Sequence, residues 1–168
     1  MITVSSLSSG SSGNATLIDD GKTVVLVDCG VSHVAILQGL ASLGRTIEDL
    51  VAVLVSHEHA DHIRSLDRLV RRGVPVVCTA GTARSAGLGS VRFDQLALGA
   101  TLNVGTLATT SIPVCHDAAE PCGFLIQTNG TAVAVVTDAG CATDDIVNPL
   151  VNADLIIIEA NHDERMLR

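Results

Sequence analysis

The sequence predicts an α/β fold in which β-sheets and helices lie in layers. Strand-like runs are followed by helix-like segments twice in the first half, and strand-like pairs fill much of the second half, which favours a layered sandwich over a simple βαβ sheet. The composition agrees: 47% of residues are apolar, but there is no Trp or Tyr and only two Phe, so Val, Leu, Ile and Ala must build the core. A chain of 168 residues is most simply one domain, spanning 1–168.

In the first half, turn and cap residues delimit each element. A turn at 19–22 separates two strand-like runs and predicts a hairpin, and Ser32 is a suitable N-cap for a helix that Gly44 closes. The predicted elements are strands at 1–4, 16–18 and 23–27, a helix at 32–43, a strand at 50–55, a helix at 60–72, a strand at 74–78 and a short helix at 81–86.

The second half reads mainly as antiparallel strands. Asn129-Gly130 lies between two alternating runs and is the strongest hairpin signal in the chain. The predicted elements are antiparallel strands at 91–93, 101–104 and 107–112, a hairpin of 123–128 with 131–136, a helix at 144–151 and a last buried strand at 153–158.

Four potential metal ligands follow the apolar run 50–55 within six residues: His57, His59, Asp61 and His62. A corner between a strand and a helix can direct several side chains at one point, because the two elements differ in side-chain periodicity. Three imidazoles and a carboxylate suit a transition metal such as zinc. The zincin pattern is excluded, since the fourth residue after His57 is Asp61 rather than a histidine.

Other candidates stand at the ends of predicted strands. His116 is the only other histidine between His62 and His162, and the His57–His59 pair needs a third partner. Asp138 closes an apolar strand and could bridge two cations, and Asp28 could orient a ligand imidazole.

Charge and cysteine content limit the function classes. A net charge of −8 argues against a broad basic nucleic-acid surface, although bound divalent ions would reverse the local charge at the site.

Five scattered cysteines, odd in number and without a Cys-x-x-Cys pair, argue against a disulfide framework and indicate the cytoplasm. Cys115 is assigned no role. No leader opens the chain and no run reaches the roughly 18 apolar residues of a membrane span, so we expect a soluble protein.

Two further stretches have alternative interpretations. The Ser/Gly-rich segment 5–14 could bring backbone N–H groups close to an anion, or it could be a flexible linker. Four arginines at helical spacing are typical of a solvated face and could alternatively contact a substrate phosphate: Arg64, Arg68, Arg71 and Arg72.

Six motifs, taken in order, resemble those of the YycJ-like (WalJ) group of the metallo-β-lactamase superfamily, and the resemblance covers essentially the whole chain. They are SGSSGN, VDCG, SHEHADH, the His116-Asp117 pair, TDAG and EANHD. The resemblance implies a four-layer αββα sandwich with the site at the edge between its two sheets. It also implies a metal-dependent phosphodiesterase or nuclease, since members are associated with 5′-to-3′ exonuclease action on DNA. Residue by residue, it implies a first metal on His57, His59 and His116, a second on Asp61 and His62, and a bridging Asp138. Asp28 would support a ligand, and Glu159, Asn161, His162 and Asp163 would lie near the same pocket.

One departure from the family pattern concerns the C-terminal part. The superfamily supplies a last histidine from a later strand, and YycJ-like chains continue for several dozen residues, whereas no histidine follows His162 here. We therefore expect a fragment with a doubtful second metal site, and apolar surface left uncovered in the second layer.

The expected activity is hydrolysis by a metal-bound hydroxide, with zinc or manganese as the cation and a phosphodiester as the substrate. Asp61 and Asp138 would orient the water, and His162 or Asp117 would protonate the leaving group. The alternatives are an acyl hydrolase for a thioester, lactone or lactam, and a metal-binding fragment with little activity of its own. An oxidoreductase is disfavoured, because His59 stands where that branch of the family carries Glu.

Overall fold

Two β-sheets form the centre of the computed structural model, which describes residues 2–90 and 93–159. The first sheet has six strands in the order β1-β2-β3-β4-β5-β6, and the second has five in the order β11-β10-β9-β8-β7. The strands of the first sheet are β1 Thr3–Ser8, β2 Ala15–Asp19, β3 Val24–Val27, β4 Leu50–Leu54, β5 Val76–Cys78 and β6 Phe93–Gln95. Those of the second are β7 Thr101–Val104, β8 Leu107–Pro113, β9 Cys122–Thr128, β10 Thr131–Val136 and β11 Leu155–Ile158.

Helices cover the outer face of each sheet, which completes the four predicted αββα layers. Ile36 and Leu40 of α1 and Leu69 of α3 pack in one cluster with the outward side chains of the first sheet. Ile146 of α5 packs against Ile112 on the second sheet. The helices are α1 His33–Ser42, α2 Ala60–Ile63, α3 Leu66–Arg71, α4 Ala80–Ser85 and α5 Asp144–Val151, with 3₁₀ turns at Ile47–Asp49 and Leu88–Ser90. None of the helices in the described part of the chain has the length and hydrophobicity needed to cross a membrane.

The main core lies between the two sheets. Val25 and Leu54 from the first sheet meet Phe124, Ile126 and Val135 from the second, and each of these side chains is at most 3% exposed. The periodicity of the strands explains this arrangement, because alternate residues of a strand face opposite sides of the sheet. Leu26 and Val53 accordingly face the helices while their neighbours face the second sheet.

The strand directions bring the candidate residues to one edge of the sandwich. β3, β4 and β5 are parallel, so their carboxyl ends lie together, and Asp28 and Ser56 follow two of them closely. In the second sheet β10 and β11 are also parallel, and Asp138 and Glu159 follow their carboxyl ends. The carboxyl ends of parallel strands are the usual position of a site in sheets of this kind.

Most elements are confirmed, but three predictions were wrong. β1 continues to Ser8, so part of the Ser/Gly-rich segment is strand rather than loop. The helix expected at 60–72 is divided between α2 and α3, because Ser65 donates its N–H to Cys29 O (2.9 Å) and its hydroxyl to Val31 O (2.6 Å). β6 pairs with β5 in parallel rather than joining the antiparallel strands that follow.

The last described strand is less buried than expected. Leu155, Ile156 and Ile158 of β11 are 44%, 43% and 49% exposed, and Val151 at the end of α5 is 77% exposed. Apolar surface is therefore uncovered at this end of the second sheet.

The two phenylalanines provide a matched test of the core between the sheets. Phe124 is fully buried there, whereas Phe93 is half-buried at the end of the first sheet. Truncating Phe124 should leave a cavity that its neighbours fill only in part, so we expect Phe124→Ala to lower the free energy of unfolding by roughly 3–5 kcal/mol. Chemical denaturation measures the change, with Phe93→Ala as the control that should cost clearly less. Equal losses in the two variants would contradict the proposed position of the core.

Candidate metal centre

Four histidines converge beyond the carboxyl end of β4. His57 and His62 are almost fully buried, at 2% and 1% exposure, while His59 and His116 are half-buried. The ring of His57 lies at the centre, with its centroid 4.6, 4.0 and 4.7 Å from the rings of His59, His62 and His116. The corner between β4 and α2 therefore brings its three histidines together, as the spacing predicted, and His116 joins them from the loop after β8.

The potential ligand atoms form two groups that share His57. One consists of His57, His59 and His116, and the other of His57, His62 and Asp138; within each group the ligand atoms all lie within 4.8 Å of one another. In the first group His116 Nε2 is 3.1 Å from His59 Nδ1. In the second group Asp138 Oδ2 is 2.9 Å from His62 Nε2 and 3.9 Å from His57 Nε2. Asp61 lies beside the second group, with Oδ2 3.7 Å from His62 Nε2.

A buried carboxylate behind the centre fixes which nitrogen of each buried imidazole carries the proton. Asp28 Oδ2 accepts from His62 Nδ1 (2.8 Å) and from the hydroxyl of Ser56 (2.9 Å), and Asp28 Oδ1 accepts from Ser56 N–H (2.9 Å). Because the Ser56 hydroxyl gives its one proton to Asp28, it acts as the acceptor toward His57 Nδ1, 3.0 Å away. His57 and His62 therefore both turn an Nε2 lone pair toward the centre.

The electrostatics of the two buried histidines differ. Burial, reinforced by the positive charge that the other imidazoles would carry, lowers the pKa of His57 to about 3, which keeps this ring neutral. Burial alone would lower the pKa of His62 too, but the hydrogen bond to Asp28 and the nearby carboxylate charges outweigh it and raise that pKa above its usual value. A proton or a metal cation would therefore be favoured at His62 Nε2.

The arrangement fits a divalent cation. His57 Nε2 and Asp138 Oδ2 are buried, and neither has a hydrogen-bond partner in the described part of the chain. Asp138 Oδ2 lies close to His62 Nε2, but both are acceptors once Nδ1 of His62 holds the proton, so only a cation or an added proton would make their proximity favourable. Imidazole nitrogens with carboxylate oxygens are a donor set for zinc or manganese.

Two glutamates that the sequence analysis did not single out as ligands or catalytic groups anchor the loop that carries His116. Glu58 Oε1 accepts from Ala119 N–H (2.8 Å), and Glu120 Oε2 accepts from Gly81 N–H (2.6 Å) at the start of α4. The sequence holds no signal for these contacts, because each joins residues at least 39 positions apart.

A disulfide joins the same loop to the one that follows Asp138. The sequence argued against a disulfide framework and gave Cys115 no role, but Cys115 and Cys141 are bonded, and Gly140 N–H donates to Cys115 O (2.8 Å) beside them. Their separation of 26 residues could not reveal this proximity. Cys29, Cys78 and Cys122 are free and buried, and burial raises the pKa of each thiol, that of Cys78 to about 12.

The remaining predicted residues lie at the margin of the site or beyond the described residues. Asp117 has an exposed side chain whose Oδ1 is 3.1 Å from His116 Nδ1. Glu159 lines an open pocket together with His116 and Asp138. Asn161, His162 and Asp163 lie outside the residues that the structure describes.

Asn14 is another polar residue at this site that the sequence analysis missed. Its side chain is buried, with Nδ2 3.1 Å from His62 Nε2. The Gly-rich segment that it ends was interpreted as a source of backbone N–H groups or as a flexible linker, so the side chain itself was overlooked.

A family model described as the β-lactamase superfamily domain matches residues 23–167. The chain belongs to the metallo-β-lactamase superfamily. It is 36% identical to the exodeoxyribonuclease WalJ of Streptococcus pneumoniae over 96% of its own length and 34% identical to the exodeoxyribonuclease YycJ of Bacillus anthracis over the same share. The chain spans 63% and 64% of the lengths of these two relatives. The resemblance to the YycJ-like group is thus confirmed.

Solved structures agree on the fold. The metallo-β-lactamase fold protein YhfI of Bacillus subtilis superposes with a TM-score of 0.74 at 23% identity, covering 96% of this chain and 72% of that one. A diphosphatase of the PhnP family gives a TM-score of 0.72 at 18% identity, covering 93% of this chain and 73% of that one. At these identities the similarity establishes the architecture alone.

The carboxylate of Asp28 can be tested without disturbing its backbone. Asp28 has φ +56°, a left-handed conformation that Asn also tolerates, so Asp28→Asn keeps the shape and removes one acceptor oxygen. We expect metal affinity to fall by about 10–100-fold, because His62 loses the partner that fixes its tautomer. Competition with a chelator measures the affinity, and Asp94→Asn on exposed β6 is the control. Unchanged affinity in a folded Asp28→Asn protein would contradict the orienting role.

Proposed function

We propose that the chain is a divalent-metal-dependent phosphodiesterase that acts on DNA. The observation that carries this proposal is the pair of ligand groups that share His57, the second of which contains Asp138. Sites that hold two cations about 3.5–4 Å apart are typical of phosphatases and nucleases, because the cations stabilise both the attacking and the leaving oxygen.

The proposed ligands are those of the two groups together with Asp61, which lies beside the second group. His57, His59 and His116 would hold one cation, Asp61 and His62 would hold a second, and Asp138 would contact both. Bound cations of this kind would supply a Lewis acid and a nucleophile derived from water at neutral pH. The native ion is proposed to be zinc or manganese.

The protein groups would orient and move protons. Asp28 and Ser56 keep the Nε2 lone pairs of His57 and His62 directed at the centre. Asp61 would accept a hydrogen bond from the attacking water and align it with the phosphorus atom. His162 or Asp117 would protonate the leaving oxygen, with Asn161 and Asp163 nearby. Asp117 already contacts His116, so it would alternatively hold that ring in place.

Similarity to the two exodeoxyribonucleases supports DNA as the substrate and, with the resemblance of the motifs, digestion from the 5′ end. The net charge of −8 does not oppose it, because the cations would provide positive charge where a phosphate binds. A DNA substrate agrees with the cytoplasm as the compartment.

Two other functions use the same residues. An acyl hydrolase for thioesters, lactones or lactams would need the same ligands, and the net charge of −8 favours it slightly. A metal-binding chain with little activity of its own would use the same histidines and carboxylate to hold a cation.

Hydrolysis assays with metal-loaded protein separate these functions. We expect turnover of bis(p-nitrophenyl) phosphate and of end-labelled DNA, with release from the 5′ end, and no turnover of a thioester. Asp61→Asn should lower the rate by about 10²–10⁴-fold, as expected for loss of a group that handles the proton of the nucleophile. Asp94→Asn should leave it unchanged.

Each alternative has its own outcome in these assays. Thioester turnover without phosphodiester turnover would replace the proposal by the acyl hydrolase, and normal metal uptake without turnover of either would leave only the metal-binding function. His162→Ala, if it kept full activity and metal content, would remove His162 from the mechanism.

A further inference from the structure

Asn14 has a fixed orientation beside the candidate metal centre. Its Oδ1 accepts from Gly10 N–H at 2.9 Å, which settles which end of the amide is oxygen. Nδ2 therefore lies 3.1 Å from His62 Nε2, and its second contact is a long one of 3.4 Å to Gly10 O. The residue is 4% exposed, so this donor cannot turn to solvent.

Main-chain hydrogen bonds hold the backbone of Asn14 against the corner between β4 and α2. Asn14 N–H donates to Asp61 O (2.7 Å), and Gly30 N–H donates to Asn14 O (2.9 Å). A Cβ atom on Gly13 would collide with Gly30 O, and one on Gly30 would collide with Asp61 O, so glycine at both positions permits this close approach. The position of the backbone thus places the side chain of Asn14 at the candidate metal centre.

The hydrogen bond that Asn14 donates to His62 is possible only while Nε2 of the ring holds neither a proton nor a metal. His62 Nδ1 donates to Asp28, so the single lone pair of the ring is on Nε2, where Asn14 donates. A cation on Nε2 would occupy that lone pair, and an N–H of Asn14 would need another acceptor. An anionic oxygen at the same centre is the acceptor best suited to a buried amide donor.

We propose that Asn14 Nδ2 donates a hydrogen bond to a non-bridging oxygen of the substrate phosphate, which makes Asn14 a substrate-binding residue. This inference rests on the proposed phosphodiesterase function. It also gives the Gly-rich segment 5–14 a specific purpose, namely to place one amide donor.

Inorganic phosphate is the probe, titrated by calorimetry into the manganese-loaded protein. Asn14→Ala should weaken phosphate binding by about 10–150-fold, the loss expected for a hydrogen bond to a charged group. Manganese affinity, measured by chelator competition, should stay within about twofold, because no proposed ligand is removed. Asn103→Ala, at an exposed position on β7, is the control. Asn14→Asp keeps an oxygen that accepts from Gly10 N–H and removes the Nδ2 donor. This variant replaces Asn14→Ala in the experiment if Asn14→Ala does not fold.

Each other outcome overturns the inference. If manganese affinity falls as much as phosphate affinity, Asn14 only positions His62. If neither changes, Asn14 has no role at the site. If the loaded wild-type protein does not bind phosphate at all, the phosphodiesterase proposal fails and the inference fails with it, whereas phosphate binding that is equal in wild type and variant overturns the inference alone.

Discussion

The buried carboxylate of Asp28 is the group on which the candidate site depends. A charge that is 1% exposed is stable only if hydrogen bonds replace its hydration, and Ser56 and His62 supply three of them. The same bonds set the tautomers of the two buried imidazoles. One residue thus couples the end of β3, the end of β4 and the start of α2.

Close backbone contact around Asp28 makes this coupling possible. Cys29 N–H donates to His62 O, and Gly30 N–H donates to Asn14 O, so three remote segments meet through main-chain bonds. Such bonds are less adjustable than side-chain contacts. The backbone packs so closely around Gly30 that no side chain would fit at this position. The second sheet contributes His116 and Asp138 from loops that Glu58 and the Cys115–Cys141 disulfide hold in place.

The sequence allowed the layered fold, the hairpins and the histidine-rich corner to be predicted, because each depends on residues close in the chain. The spacing from His57 to His62 is a local signal, and the Asn129-Gly130 turn is another. What it could not show were contacts between distant segments: the amide of Asn14 on His62, the anchors of the His116 loop, the parallel pairing of β6 and the disulfide. Ser65 broke the predicted helix for the same reason, since its acceptors lie on the segment that follows β3.

Anomalous X-ray scattering from crystals grown with manganese would test the central claim, that these side chains hold divalent cations, most directly. The account predicts one peak among His57, His59 and His116 and a second between His62 and Asp138, with Asp61 alongside. Peaks only elsewhere on the protein, or no bound manganese or zinc at these side chains under any condition, would contradict it.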